Sequence, residues 1–166
     1  MRHRLLIPAA EADPRWLTWW EHLVPTPGPV MGLSFFADWF LLQDDGRVWR
    51  LDVLEGSFDS LGVTEPQFWS RLNREAAQDD WLQAGHVVSL EQRGLVLKSG
   101  QCYVYRLLPR LGGPITVDNM MVGDLAGWQL FTAQVHQQLD RVPKGGRVTR
   151  LECSPEGCIV VRWEKS

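Results

Sequence analysis

Few residues in this chain have both the type and the spacing that chemistry requires. The four histidines are His3, His22, His86 and His136; no two stand at i, i+4, and none neighbours a cysteine. A zinc or other transition-metal site normally draws several such ligands from short, regular spacings, so these read as separate surface or packed imidazoles. Ser34, Ser57, Ser60, Ser70 and Ser89 lack a G-x-S-x-G elbow, and Cys102 falls in an apolar stretch that buries a thiol rather than activating it. Paired carboxylates occur at Asp44-Asp45 and Asp79-Asp80. Adjacent residues point in different directions on a strand or helix, so neither pair reads as a catalytic dyad held across a cleft. The first pair reads as a turn and the second as a helix cap. Leu111-Gly112-Gly113-Pro114 lacks the Lys-Ser/Thr sequel of a phosphate loop and opens no dinucleotide fingerprint; a tight turn accounts for it. Arg147, Arg150 and Arg162 with Trp163 form a small basic patch, but Glu152, Glu156 and Glu164 dilute it. No cofactor or metal is expected.

Charge distribution is more informative. The net charge is -3, which supplies no global basic field for nucleic acid. Between Asp44 and Glu91 ten acids (Asp44, Asp45, Asp52, Glu55, Asp59, Glu65, Glu75, Asp79, Asp80, Glu91) face four arginines (Arg47, Arg50, Arg71, Arg74), giving -6 and leaving +3 elsewhere. Solvated turns and caps explain such a segment residue by residue; taken together, it suits a face that steers a basic partner. Nine tryptophans exceed the needs of an ordinary core, so one or two are expected at a contact surface or at a seam between two copies.

The elements that position these residues are legible from punctuation and period. Asp13 and Pro14 open a helix over 14–24 with Trp16, Leu17, Trp20, Leu23 and Val24 on one face. Strands follow over 30–36, 38–43 and 47–53, the last two joined at Asp44-Asp45-Gly46; the alternation after Arg47 suggests one packed face and one wetter. Glu55-Gly56 begins a loop. Thr64 and Gln67 form a capping box for a helix with a Phe68, Trp69, Leu72, Ala76 stripe. A further helix after Asp80, carrying Trp81, Ala84 and Val88, ends at Gly94. Strands over 101–108 and 115–122 precede a helix from Asp124 to about Val142, and a hairpin pairs 147–153 with 158–164. Cys153 and Cys158 flank its turn and could face each other; the plainer reading is two buried, reduced thiols. The expected fold is α+β, a mainly antiparallel sheet with about three packed helices, as a single domain over 1–166. Leu5-Leu6-Ile7 is too short for a signal or membrane segment, which points to a cytoplasmic protein.

The order of motifs resembles a bacterial family. Ala37-Asp38-Trp39-Phe40-Leu41, then Gly46 through Leu51-Asp52 to Gly56, then Glu65-Pro66-Gln67-Phe68, then Gly100 to Tyr105 with Leu108-Pro109-Arg110-Leu111-Gly112-Gly113, then Val117-Asp118-Asn119 and a late helix ending at Leu139, are similar to the C-terminal domain of type VI secretion DNase-immunity proteins. The resemblance spans roughly Gly32 to Leu139, and the 147–164 hairpin lies outside it. Family members often carry a GAD-like domain at their N-terminus, and Ala37 stands where they usually have Gly. The resemblance implies structural roles for Trp39, Leu51, Asp52, Gly56, Phe68, Tyr103, Gly112 and Gly113. It also implies a non-enzymatic protein that neutralises a cognate secreted toxin, a nuclease in the family's case. Within the acidic segment, Asp59, Asp79, Asp80 and an exposed Trp81 are the expected contacts. A general interaction or regulatory module of the same fold is the alternative. A hydrolase would require two or more of His86, His136, Cys102 and the carboxylates within hydrogen-bond reach in one deep polar pocket.

Overall fold

The computed structural model describes residues 4–165; His3 lies outside the described residues. Five strands run antiparallel in chain order: β1 (Leu6–Ile7), β2 (Val30–Ser34), β3 (Trp39–Leu42), β4 (Arg47–Asp52) and β5 (Ser57–Thr64). Three helices follow, α1 (Glu65–Arg71), α2 (Glu75–Leu82) and α3 (Ala84–Gln92). Then β6 (Gln101–Tyr105) pairs with β7 (Met120–Asp124), α4 (Leu125–Leu139) crosses back, and β8 (Gly146–Cys153) pairs with β9 (Ile159–Lys165). The fold is α+β with antiparallel sheets, and four α-helices rather than three pack on them.

The large sheet is covered on both faces. Trp39, Phe40 and Leu41 are consecutive, point alternately to opposite sides, and are all fully buried. Phe40 meets Phe68 of α1 at 5.1 Å between ring centres, and Trp81 of α2 stacks on Phe68 at 5.5 Å. On the other face Trp39 meets Trp16 edge-on at 6.4 Å. This corrects the expectation of a wet face for β4. Val48 and Leu51, on opposite sides of that strand, are both buried, and its pairing with β5 slips between Arg47 and Trp49.

The segment after Asp13 is a 3₁₀ helix (Pro14–Trp20), not an α-helix reaching Val24. Asp13 does cap it, accepting from the Arg15 amide at 2.9 Å. With three residues per turn, positions i and i+3 eclipse. Trp16 and Trp19 accordingly stack at 6.5 Å and 10° between planes.

Strand β5 occupies what the sequence presented as a loop; it is a mostly polar edge strand with no apolar alternation to announce it. The capping box is present, Gln67 Oε1 accepting from the Thr64 amide at 3.0 Å. The helix it opens ends at Arg71, so Ala76 lies exposed on α2. On α3 the buried residues are Ala84, Val87 and Leu90, while Val88 faces solvent. Residues 115–118 precede β7 as loop and 3₁₀ turn, because the Asn119 side chain donates to the Leu107 and Pro114 carbonyls and accepts from the Leu107 amide. Helix α4 starts as expected, Asp124 accepting from the Gly127 amide at 2.7 Å, and stops at Leu139 rather than Val142.

Cys153 and Cys158 are exposed, not buried. The hairpin register sets Cys153 opposite Ile159, which sends the Cys158 side chain to the other face.

Trp39, Leu51 and Phe68 are fully buried, and the Tyr103 hydroxyl donates to the Leu95 carbonyl at 2.7 Å. Asp52 Oδ1 closes the next turn by accepting from the Leu54 and Glu55 amides. Gly112 has φ +92°, and a Cβ at Gly113 would lie 1.9 Å from the Leu107 carbonyl oxygen.

Candidate functional site

The acidic segment folds into a cleft. Strand β4 contributes Arg50 and Asp52, the turn after it contributes Leu54 and Glu55, and α2 brings Asp79 and Asp80. Gln83, Gly85, His86 and Ser89 from the start of α3, with Ile115 from the far loop, complete a space of about 630 Å³. Gln83 makes the cleft possible. It adopts φ +52°, breaking α2 from α3 so that the two helices line the same groove. The Tyr105 hydroxyl donates to its side chain at 3.1 Å, tying that junction to β6.

Four carboxylates, Asp52, Glu55, Asp79 and Asp80, face the cleft against a single guanidinium. Arg50 is spent on structure: it pairs with Asp52 at 3.2 Å and donates to the Asp80 carbonyl at 3.1 Å, joining β4 to the end of α2. Asp52 holds its turn, and Asp79 accepts from the Gly85 amide at 2.9 Å, capping α3 from within α2. The Glu55 and Asp80 carboxylates make no hydrogen bond or ion pair among the described residues, and both residues are exposed. Ile115 is 51% exposed at the rim. The result is an acidic depression with an apolar edge, a combination that fits a basic protein surface with an aliphatic or aromatic contact beside it.

Of the four expected contacts, Asp79 and Asp80 line this cleft. Asp59 is exposed on β5 directly opposite Arg50, one strand from the cleft. Trp81 is the correction: expected at the surface, it is 7% exposed and stacked on Phe68. As part of an α2 whose other face is solvated, its alternative was to leave some of the chain's largest apolar area wet. Glu55 stood within the acidic run without being singled out, and Asp52 was expected in a structural role only. Ile115, far along the chain, carried no signal at all.

Of the potentially reactive groups, His86 shares the cleft with Asp52, Glu55, Asp79 and Asp80, while His136 and Cys102 do not line it. His86 meets the Phe36 ring edge-on at 6.5 Å and hydrogen-bonds to no carboxylate. His136 is fully buried, with its Nδ1 accepting from Arg110 at 2.9 Å and its Nε2 donating to the Val53 carbonyl at 2.9 Å. Arg110 can only donate, which fixes the neutral Nε2–H tautomer. Burial first, and the Arg110 charge second, push the His136 pKa down to about 4. Cys102 is buried, and burial holds its thiol well above the ordinary range. Asp38 is buried too, and burial followed by the nearby Asp52 charge raises its pKa. Its two oxygens accept from the Ser34 hydroxyl and the Val53 amide, a network that pins the β2–β3 turn to β4. Among the described residues no three His, Cys, Asp or Glu side chains are grouped as metal ligands, and no helix is long and apolar enough to cross a membrane.

The stretch from the Thr64 capping box to the buried His136 holds both helical walls of the cleft and the helix beneath it. Residues 64–136 match the family of the T6SS immunity protein Tdi1, C-terminal. The match covers the later part of the Gly32–Leu139 resemblance. It includes Asp79, Asp80, Gln83, His86 and Ile115, while Arg50, Asp52 and Glu55 precede it. The crystal structure of Atu4351 from Agrobacterium tumefaciens is similar over 92% of this chain and 73% of that one, at 19% identity and a TM-score of 0.46. No curated protein matches the sequence.

Proposed function

We propose that the protein is a type VI secretion immunity protein that acts by binding a cognate toxin, with the acidic cleft between β4 and the α2–α3 junction as its contact surface. One observation carries this reading. Within the segment that matches an immunity family, and against it, the fold gathers four carboxylates, two of them without any structural task. A fold spends exposed acids as caps and ion pairs; idle acids concentrated in a concave surface raise the local negative potential and speed encounter with a basic partner. A nuclease toxin, basic where it grips phosphates, is the partner class the surface suits. Asp59 extends the same field along β5. Inhibition of this kind needs complementarity and no bond chemistry. The cytoplasm, where such a toxin would act on DNA, is the compartment this reading requires.

The experiment is titration calorimetry of the purified protein against a type VI nuclease toxin of the cell that makes it. Glu55→Lys and Asp80→Lys together should weaken binding by at least about a hundredfold, as for charge pairs desolvated at an interface. Binding at wild-type strength would reject the cleft, and no binding by the wild-type protein would reject the immunity role for that toxin.

A further inference from the structure

The positive half of the chain makes a second surface of different character. Strand β8 pairs with β9 on one side only; among the described residues the Gly146 amide donates to the Pro143 carbonyl, and no other strand or loop backbone bonds to the Arg147–Leu151 stretch. A groove of about 630 Å³ runs along that edge. One wall is five consecutive strand residues, Arg147 to Leu151, and the other is the loop bearing Leu107, Arg110 and Leu111. Consecutive residues along one wall mean that the groove follows the edge of the strand, where unpaired amides and carbonyls lie, and not one of its faces.

The lining chemistry selects what could fill it. Three guanidiniums, Arg110, Arg147 and Arg150, face the groove and no carboxylate lines it. Arg110 is held in place by Asp140 and His136, whereas Arg147 and Arg150 are 72% and 70% exposed and pair with the exposed Glu164 and with the half-buried Glu152, which Arg162 shares. Leu107, 46% exposed, stands with Leu111, Val148 and Leu151 as apolar contact along the same line. A second copy of β8 is a poor occupant, since it would bring its own Arg147 and Arg150 against these three. Such charges on an edge strand are a known guard against self-pairing.

We propose that the β8 edge is a docking site for an extended segment of a partner protein in which acidic and apolar residues alternate. Such a segment would add a strand to the β8–β9 sheet, its carboxylates meeting Arg147 and Arg150 and its apolar side chains resting on Leu107 and Leu111. Main-chain hydrogen bonds would supply affinity, and the alternating side chains the selectivity. The acidic cleft plays no part in this site, so the two proposals stand or fall separately.

The probe is a short blocked peptide alternating glutamate with valine, compared with the same peptide carrying lysine for glutamate. Both are titrated into the full-length protein and followed by amide chemical shifts. The glutamate peptide should perturb the Arg147–Leu151 amides and bind at least about tenfold more tightly than the lysine peptide. Arg147→Glu with Arg150→Glu, both solvent-facing changes, should reverse that preference without altering the circular dichroism spectrum. Equal binding of the two peptides, no binding up to about millimolar concentration, perturbation confined to other strands, or self-association of the protein through β8 would each overturn the proposal.

Discussion

Gly56 rests directly against His136: a Cβ at Gly56 would lie 2.5 Å from the ring Cγ. This contact joins the turn that displays Glu55 in the cleft to the core of α4, and it leaves room for hydrogen at that position and nothing larger. The backbone there is also left-handed, at φ +67°. Gly56→Ala therefore combines backbone strain with overpacking and should destabilise by about 2–4 kcal/mol. Gly46 is the control. It has a similar φ of +72° with nothing within 4 Å of its Cβ position, so Gly46→Ala should cost only about 1–2 kcal/mol, the strain alone. Urea denaturation of both variants separates the two effects.

The neutral state of His136 makes stability depend on pH. Its folded pKa of about 4 lies below the ordinary value of 6.5, so the unfolded chain binds the extra proton between those values. Stability from this group is complete above about pH 6.5 and is lost as pH falls toward 4, by about 3 kcal/mol in all. Arg110 opposes the charged form, while Asp140 and Asp52 favour it. Asp38, with its raised pKa, acts in the reverse sense, its contribution falling as pH rises. The effect must therefore be read as a difference. The stability gap between wild type and His136→Gln, from denaturation series, should narrow steadily as the pH is lowered from 7 to 4.5. A gap that does not change with pH would contradict the assignment.

Ala37 closes the β2–β3 turn with φ +72° while fully buried. A left-handed backbone of this kind is one that glycine adopts without strain. Ala37→Gly relieves about 1–2 kcal/mol of left-handed strain, against a lost methyl of about 0.8 kcal/mol and added freedom in the unfolded chain of about 0.5–1 kcal/mol. The net change should be within about 1 kcal/mol of zero. Ala133→Gly, equally buried but inside α4, has no strain to relieve and should cost about 2 kcal/mol. Equal losses at the two sites would count against the strain at Ala37.

Trp81 and its neighbour Asp80 should part company. Trp81→Ala opens a void beside Phe68 and should cost about 3–5 kcal/mol, whereas Asp80→Asn, exposed and without a partner, should stay within about 0.5 kcal/mol. Thermal denaturation measures both; a mild Trp81→Ala would mean that the α1–α2 packing is not as described.

Local signals carried most of the fold into view. Asp13, the Thr64–Gln67 box and Asp124 each mark a start that the structure keeps, because a cap is a bond among near neighbours. What stayed hidden depends on distant partners. Strand β5 is polar because it lies at an edge, and only its pairing with β4 makes it a strand. The 3₁₀ winding over Pro14–Trp20 was not marked by the apolar spacing, and Trp16 there also meets the distant Trp39. For the candidate site, the acidic excess of 44–91 was plain, but its shape was not. Trp81 looked like a surface tryptophan beside two aspartates until the opposite side of its helix met Phe68. The left-handed Gln83 that opens the cleft has a residue type that gives no warning of a turn.

The most direct measurement is growth of a sensitive host induced to express a type VI nuclease toxin of the source cell together with this protein. Wild type should restore growth, while the Glu55→Lys, Asp80→Lys double variant, verified as folded by its denaturation curve, should leave the host dying. Full rescue by the variant, or none by the wild type, would contradict the account.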